Sequence, residues 1–227
     1  IDVEAEVKAI RWAVEHDAQV INMSLGGFRD PRDPDRDAFS PLEAQAIGWA
    51  HGRGAVIVAA VGNNTDTPPR PWPYASYPAA FPHVLGVGAY GRLGGVPSFS
   101  NRDDRLVDLA APGMDIFSLF PRPLTAAFAC SDQGYSSCGT KDYRHADGTS
   151  FAAPQVSAAA ALLFGESAAL RPDQVGEILK LSASDATGND YWFNRDNAAV
   201  VVETARRVGN ERAVRAAIDA LGKDKAG

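Results

Sequence analysis

The chain has 227 residues, of which 45% are hydrophobic and 22% are charged, and its formal net charge at pH 7 is −6. This length and composition suit a globular protein that buries a sizeable core. The excess of acidic residues disfavours nucleic acid or an anionic membrane surface as the main partner. The sequence has no apolar run long enough to cross a bilayer, so no membrane span is expected.

Hydrophobic periodicity predicts helices and strands that alternate along the chain. Helices are expected at residues 3–16, 41–49, 150–164, 171–181 and 198–220. Strands are expected at residues 20–25, 55–61, 84–89 and 106–110, the last of them broken by Ala111, Pro112 and Gly113. The run at 55–61 is apolar throughout, which is typical of a parallel strand buried on both faces. Ser40 is the expected N-cap of the second helix, with Pro41 at its first position.

This alternation predicts an α/β fold, a three-layer sandwich in which helices cover both faces of a mainly parallel sheet. We assign residues 1–200 to the body of one domain, and residues 201–227 to a C-terminal helix and tail of the same domain.

The segment between the first strand and the second helix alternates Asp, Arg and Pro, and it is predicted to be a surface loop. Its four aspartates are Asp30, Asp33, Asp35 and Asp37. Carboxylates are the ligands that calcium prefers, so a calcium site is a minority hypothesis here. Three arginines in the same loop offset the negative charge and the segment has no turn glycine, so no metal ligand is assigned.

Cys130 and Cys138 lie close together in a stretch rich in Ser and Gly. A short disulfide loop is the preferred interpretation, and it would place the chain in an oxidising compartment. Two unpaired thiols are the alternative. The spacing suits no zinc motif, and no histidine lies between the two cysteines.

The most informative stretch is residues 147–158, which read DGTSFAAPQVSA. A glycine turn leads into Thr149 and Ser150, and an alanine-rich helical run follows. Pro154 fits only near the start of a helix, where we expect its missing N–H to break no intrahelical bond. Ser150 is therefore expected at or just inside a helix N-terminus. It is either a simple N-cap or a nucleophile whose own N–H faces a developing oxyanion.

Ligands bind outside the carboxyl ends of the strands in open parallel sheets, and two predicted strands end in segments that suit such a site. The first ends in Ser24, Leu25 and Gly26, and the second in Ala60, Val61, Gly62 and Asn63. Glycines at 26 and 27 would let a substrate backbone approach closely. The side-chain amide of Asn63 can donate to an oxyanion. Alternatively, Asn63 is a turn residue that tolerates left-handed geometry.

Five blocks in order resemble those of the subtilisin-like serine proteases, the subtilases: residues 20–27, 58–63, 98–101, 109–113 and 147–158. The resemblance implies a serine endopeptidase that acts on polypeptides through an acyl-enzyme on Ser150, with Asn63 as the oxyanion donor. It also implies a substrate-binding role for Thr149, with walls of the S1 pocket formed by Ser24, Leu25 and Gly26 and by Ala60, Val61 and Gly62. These walls carry no charge, so an uncharged P1 side chain is expected.

The subtilase order is Asp, His, Ser, and the resemblance places the Asp and His blocks before the first helix seen here. The four histidines are His16, His51, His83 and His145. Only His145 is near Ser150 in sequence, and it is a weak candidate for the base. The chain therefore resembles the C-terminal two-thirds of a subtilase catalytic domain, with a sheet that is incomplete without an N-terminal portion.

Three interpretations stay open. The protein is a processed enzyme whose N-terminal chain remains associated and carries the base, or the sequence is part of a longer one, or it is a catalytically silent scaffold that binds peptides or serves in assembly. In the first two, this chain alone is expected to be inactive. A secreted or otherwise extracytoplasmic location is expected.

Overall fold

A computed structural model describes residues 2–64, 69, 71–91, 95–119, 143–185 and 199–200. Within these residues the helices are α1 (Val3–Glu15), α2 (Pro41–Gly52), α3 (Thr149–Glu166) and α4 (Pro172–Ser182). The strands are β1 (Val20–Met23), β2 (Val56–Ala60), β3 (Val84–Tyr90), β4 (Leu109–Pro112), β5 (Ile116–Leu119), β6 (Tyr143–Ala146), β7 (Ser184–Asp185) and β8 (Ala199–Val200).

Local sequence sets the starts of the first two helices. The Asp2 carboxylate accepts a hydrogen bond from the Glu4 N–H at 2.9 Å and caps α1. Ser40 caps α2 as predicted, because its hydroxyl accepts a hydrogen bond from the Glu43 N–H at 3.3 Å. Each cap supplies an acceptor to a backbone donor that has no partner inside its helix.

The main sheet has the strand order β1-β2-β3-β4-β8-β7. The first five strands in this order pair in parallel, and β7 pairs antiparallel with β8. Strands β5 and β6 form a separate antiparallel pair. The prediction of an α/β fold with a mainly parallel sheet is confirmed.

Strand β2 sits inside this sheet, and its side chains alternate between two helical layers. Val56 and Val58 join the core formed with α3 and α4. Ile57 joins the core formed with α1 and α2. This alternation explains why the strand is apolar at every position, and the two helical layers make the predicted three-layer sandwich.

Most predicted elements differ from the structure by no more than two residues at either end. Helix α2 extends three residues beyond its predicted end, and two other elements differ in position or type. The fourth strand begins three residues later than expected and runs through Pro112 instead of ending before it. Proline keeps its carbonyl, and the next residue, Gly113, donates its N–H to the Tyr90 carbonyl at 3.0 Å, so the ladder continues past the proline. Residues 199–200 form a strand where a helix from 198 was expected, because they pair with β4. The rest of that predicted helix lies outside the described residues.

Candidate active site

Ser150 is the second residue of α3, as predicted for a residue just inside a helix N-terminus. Gly148 precedes the helix with φ 149°, a backbone conformation that favours glycine. The second residue of a helix has no carbonyl one turn back to which its N–H could donate. The Ser150 N–H can therefore serve a ligand, at the positive end of the helix dipole.

Pro154 lies in the second turn of α3, and the expectation that its missing N–H breaks no helical hydrogen bond is wrong. In a regular helix the N–H of residue 154 would donate to the carbonyl oxygen of Ser150. That oxygen instead accepts a hydrogen bond from the Ser24 hydroxyl at 2.8 Å. The segment after β1 thus completes the first turn of α3.

A chain of side-chain hydrogen bonds continues from this contact. The Ser24 hydroxyl accepts from the Asn22 amide at 2.9 Å. The Asn22 amide oxygen in turn accepts a hydrogen bond at 3.0 Å from the hydroxyl of Ser157, which lies about two turns after Ser150 in α3. The Ser150 hydroxyl itself donates to the Ser24 carbonyl at 3.4 Å. The end of β1 and the start of α3 are therefore joined at several points.

Asn63 follows β2 and is exposed. Its side-chain oxygen accepts hydrogen bonds from the Thr149 N–H at 2.9 Å and from the Thr149 hydroxyl at 3.0 Å. A backbone N–H can only donate, so this contact fixes which end of the amide is the oxygen. The NH₂ end of Asn63 takes no part in this contact and is left as a donor. The Gly62 N–H donates to the Thr149 hydroxyl at 3.2 Å and completes this connection between the two segments.

Asn101 holds the backbone on both sides of Asn63 and is completely buried. Its N–H donates to the Gly62 carbonyl at 3.0 Å, and its side-chain oxygen accepts from the Asn64 N–H at 2.8 Å. Its side-chain NH₂ group donates to the Val61 carbonyl at 3.0 Å. Sequence reasoning treated residues 98–101 as a family block and did not identify this supporting role.

A pocket of about 220 Å³ opens beside Ser150. It is lined by seven of the predicted site residues: Leu25, Gly26, Ala60, Gly62, Asn63, Thr149 and Ser150. It is also lined by Gly27, which the sequence analysis named beside Gly26, and by three residues that the sequence did not single out, namely Phe28, Asn64 and Ser76. All of these lining residues are uncharged.

Two of the predicted wall residues do not line this pocket. Ser24 lies next to it, where its hydroxyl serves the Ser150 carbonyl. Val61 is completely buried in the core beneath α1 and α2. Alternation along the strand explains the difference, since Ala60 and Val61 face opposite sides of the sheet.

Gly26 and Gly27 are also constrained by packing within the protein. A Cβ at Gly26 would lie 2.6 Å from the Tyr77 carbonyl oxygen, and one at Gly27 would lie 2.8 Å from the Ala38 Cβ. Gly27 and Tyr77 exchange backbone hydrogen bonds at 2.9 and 3.0 Å. Packing within the protein therefore leaves no room for a side chain at either position, and the predicted approach of a substrate backbone stays a prediction.

His145, the weak candidate for the base, is paired elsewhere. Its Nδ1 lies 2.7 Å from a carboxylate oxygen of Asp115, and its ring packs against Phe117. Asp147 accepts a hydrogen bond from the Asp115 N–H at 2.7 Å. In the part of the chain that the structure describes, neither side chain hydrogen-bonds Ser150.

The other three histidines have partners of their own. His16 hydrogen-bonds the Trp12 carbonyl at 2.7 Å and stacks on the Trp12 ring. His51 lies 2.9 Å from an Asp173 carboxylate oxygen, and the His83 ring stacks on it. All four histidines are among the described residues, and none of them hydrogen-bonds Ser150.

The aspartate loop is held by its own groups. Asp30 is buried, and its carboxylate accepts from the Arg32 N–H at 3.2 Å and lies 3.6 Å from the Arg36 guanidinium. Asp37 accepts from the Asp30 N–H, and Asp33 accepts from the N–H two residues later. These four described aspartates do not bring three carboxylates together at one point. Cys130 and Cys138 lie outside the described residues.

A serine at a helix N-terminus, in one pocket with an amide donor at the carboxyl ends of parallel strands, is the arrangement that serine-dependent acyl-transfer enzymes use. Residues 2–210 match the family model Peptidase S8, described as the subtilase family, and the chain belongs to that family.

Among its relatives, fervidolysin of Fervidobacterium pennivorans is 31% identical over 199 residues, which are 86% of this chain and 26% of that protein. Subtilisin DY of Bacillus licheniformis is 30% identical over 191 residues, which are 84% of this chain and 58% of that protein. The crystal structure of fervidolysin, described as a keratinolytic enzyme related to subtilisin, superposes with a TM-score of 0.66 at 28% identity. That match covers 88% of this chain and 28% of the other. The chain thus spans between a quarter and three-fifths of these relatives.

The helices in the described part of the chain include none that is both long and apolar enough to span a membrane.

Proposed function

We propose that this chain carries the nucleophile, the oxyanion donors and part of the substrate groove of a serine endopeptidase. The observation that supports this most is the contact between Thr149 and Asn63. Hydrogen bonds of 2.9 and 3.0 Å hold the oxygen end of the Asn63 amide, which leaves its NH₂ end as a donor in the pocket that Ser150 also lines. A pre-set donor of this kind stabilises a developing negative charge without reorganising during the reaction.

In the proposed reaction, the Ser150 hydroxyl oxygen attacks the carbonyl carbon of the peptide bond. The new C–O bond forms as the carbonyl π bond breaks, and the negative charge moves to the carbonyl oxygen. The Asn63 NH₂ group and the Ser150 N–H donate to that oxyanion. A base takes the hydroxyl proton and passes it to the leaving amine as the C–N bond breaks. Water then hydrolyses the acyl-enzyme by the same steps.

We place that base, and the carboxylate that orients it, outside these 227 residues. The chain has four histidines, and all four are hydrogen-bonded or stacked elsewhere. The Ser150 hydroxyl donates to the Ser24 carbonyl in this chain. The base and carboxylate would come from another segment of the protein or from an associated N-terminal chain, and this chain alone would be inactive.

The edge of the sheet supports such an addition. Within the described residues, β1 pairs with β2 on one side only and forms the end of the strand order. An unpaired edge invites another strand. We propose that an N-terminal segment covers β1, so the protein isolated from its source should contain that segment or a second peptide. A stable monomer by sedimentation, whose mass by mass spectrometry corresponds to these 227 residues alone, would contradict this.

The pocket beside Ser150 supports an uncharged P1 side chain, because no charged residue is among those that line it. A cationic or anionic side chain would lose hydration there without gaining a partner. A panel of peptides that differ only at P1 tests this, with faster cleavage expected for uncharged side chains. Preferential cleavage after Arg or Lys would overturn it.

A catalytically silent peptide-binding or assembly protein is the second candidate. The observation that favours it is the Ser150 hydroxyl, which donates to a backbone carbonyl instead of a base. The pocket and groove would persist in such a protein, and peptides would bind without being cleaved.

A fluorophosphonate probe separates the two candidates, since it reacts with an activated serine. The native protein is expected to be labelled at Ser150, located by peptide mass spectrometry, and the Ser150→Ala variant is the control. Absence of labelling, in a preparation that contains the complete protein and still binds peptides, would favour the silent scaffold.

We further propose an extracytoplasmic location, which rests on the predicted disulfide between Cys130 and Cys138. Peptide mapping under non-reducing conditions should recover the two cysteines in one linked fragment. Recovery of two free thiols from natural material would remove the basis for this location.

A further inference from the structure

A second cluster of chemically active side chains lies at the opposite end of the sheet from Ser150. It consists of His51 at the end of α2, His83 just before β3 and Asp173 in the first turn of α4. One ligand atom from each of the three lies within 4.8 Å of the other two. They border a pocket of about 210 Å³.

We propose that His51, His83 and Asp173 bind a divalent transition-metal ion of the zinc class. Two imidazoles and one carboxylate are ligands that suit zinc, cobalt, nickel or copper, whereas calcium and magnesium prefer oxygen alone. Three protein ligands leave a fourth position of a tetrahedral ion for water, and the adjoining pocket provides the space.

The distances are close to those of such a site, and small side-chain movements would complete it. Ligand atoms about 2.0–2.2 Å from a tetrahedral metal are about 3.3–3.6 Å from each other. His51 Nε2 and the Asp173 carboxylate oxygen are already 2.9 Å apart, so a small outward shift would admit the ion between them. The side chain of Asp173 is 74% exposed and can make that shift.

The pairing of His51 with Asp173 does not account for His83. The His83 ring is stacked on His51 with centroids 4.2 Å apart, and its backbone has φ 69°, which is uncommon for a residue with a side chain. His83 is exposed, so its ring can turn to bring a nitrogen towards the same point. A shared metal gives all three side chains one common partner.

The ion would have a structural role. Strand β2 runs from the metal cluster towards Asn63, and its five residues span about 17 Å. The metal is therefore too far from Ser150 to contact a substrate there. It would connect α2, the start of β3 and α4, which lie on both faces of the sheet.

The test is calorimetric titration of the complete protein with Zn²⁺, after removal of any histidine tag and alkylation of free thiols. One ion per chain is expected. The variant His83→Asn keeps a residue that tolerates the left-handed backbone, and it should weaken binding at least about tenfold, as should His51→Ala. Co²⁺ should give a visible absorption spectrum of a four-coordinate ion, and this spectrum should disappear in His83→Asn.

His145→Ala is the matched control, because His145 also contacts a single aspartate, Asp115, but has no second histidine beside it. Its Zn²⁺ affinity should equal that of the unaltered protein. The proposal is overturned if no binding occurs at millimolar Zn²⁺, or if His83→Asn weakens binding less than tenfold. Neither outcome depends on protease activity, so the proposed function is tested separately.

Discussion

The side-chain oxygen of Asn63 accepts two hydrogen bonds from Thr149, one from its N–H at 2.9 Å and one from its hydroxyl at 3.0 Å. Thr149 immediately precedes Ser150, so the proposed nucleophile and the proposed oxyanion donor are positioned by one shared residue. The same hydroxyl accepts the Gly62 N–H at 3.2 Å. Thr149 thus connects the end of β2 to the start of α3.

The first prediction concerns this hydroxyl. Thr149→Val keeps the shape of the side chain but removes one donor to Asn63 and the acceptor for Gly62. Loss of a neutral hydrogen bond of about 1 kcal/mol corresponds to a reaction with the fluorophosphonate probe about 3- to 10-fold slower. Thr149→Ser keeps the hydroxyl and should react at nearly the normal rate. Equal rates for all three proteins would show that the hydroxyl does not orient Asn63.

The second prediction concerns the donor itself. Asn63→Asp retains the oxygen that Thr149 contacts but replaces the NH₂ group with an acceptor. In the complete protein, peptide hydrolysis should show kcat lowered by about 100- to 1000-fold with KM little changed, which is the magnitude known for such a donor in a subtilisin. A change confined to KM would mean that Asn63 contacts the bound substrate and not the transition state.

The third prediction concerns Asn101, which is buried and holds the residues on both sides of Asn63. Asn101→Ala leaves the Val61 carbonyl and the Asn64 N–H without their side-chain partner. The free energy of unfolding should fall by about 2–4 kcal/mol, because buried polar groups would lose their hydrogen bonds. Denaturant unfolding measures this, with the exposed Gln45→Ala on α2 as the control. A loss equal to that of the control would contradict the supporting role.

The fourth prediction compares two glycines with similar backbone geometry. Gly62 has φ 101° and Gly54 has φ 96°. A Cβ at Gly62 would collide with the Ser76 hydroxyl and lie 2.6 Å from the Asn101 amide nitrogen. A Cβ at Gly54 would have no described atom within 4 Å. Gly54→Ala should cost about 1 kcal/mol from backbone strain alone, and Gly62→Ala about 2–4 kcal/mol. Similar losses for both variants in denaturant unfolding would show that the space around Gly62 can adjust.

The fifth prediction concerns pH. Glu43 on α2 is buried, and this burial, together with a hydrogen bond and charge repulsion from Glu6 on α1, raises its pKa to about 8. The folded chain therefore holds this proton more tightly than the unfolded chain, whose glutamates titrate near pH 4.3. The protonated Glu43 side chain therefore makes its full contribution to the free energy of unfolding below about pH 4. This contribution is lost as the pH rises to about 8.

Glu43→Gln should remove this dependence and raise the free energy of unfolding at pH 8 by about 2–4 kcal/mol. Urea unfolding from pH 5 to pH 8 measures it. Glu4→Gln is the control, since Glu4 lies on the exposed side of α1 and its ion pair among the described residues is with Lys8, which is also exposed. If the free energy of unfolding changed with pH in the same way for the unaltered protein and for Glu43→Gln, the raised pKa of Glu43 would be contradicted.

The sequence was sufficient wherever the cause is local or periodic. Ser40 and Pro41 mark the start of α2 through chemistry within one helical turn. The apolar run at β2 follows from burial on both faces of one strand. Ser150 could be placed at a helix start because a glycine turn and an alanine-rich run flank it.

The sequence was insufficient where the partner lies far along the chain. The donor that serves the Ser150 carbonyl is 126 residues away, so the effect of Pro154 was misjudged. Asn101 hydrogen-bonds Val61, which is 40 residues away in the sequence, and no local sequence pattern predicts that contact. The reason for Gly26 is the Tyr77 carbonyl, which only the folded structure brings close.

The hydrogen bond from Ser24 to the Ser150 carbonyl also affects how the molecule folds and where it opens locally. A helix that depends on a hydroxyl from another element does not complete its first turn alone, so an isolated peptide of residues 149–166 would fray at the serine. The nucleophile gains its geometry only when β1 docks against α3. β1 ends the strand order of the described sheet, so local opening at β1 costs little free energy in this chain. In the 227-residue chain alone, the start of α3 should therefore lose its geometry on warming before the core unfolds, whereas a segment that covers β1 would delay this loss.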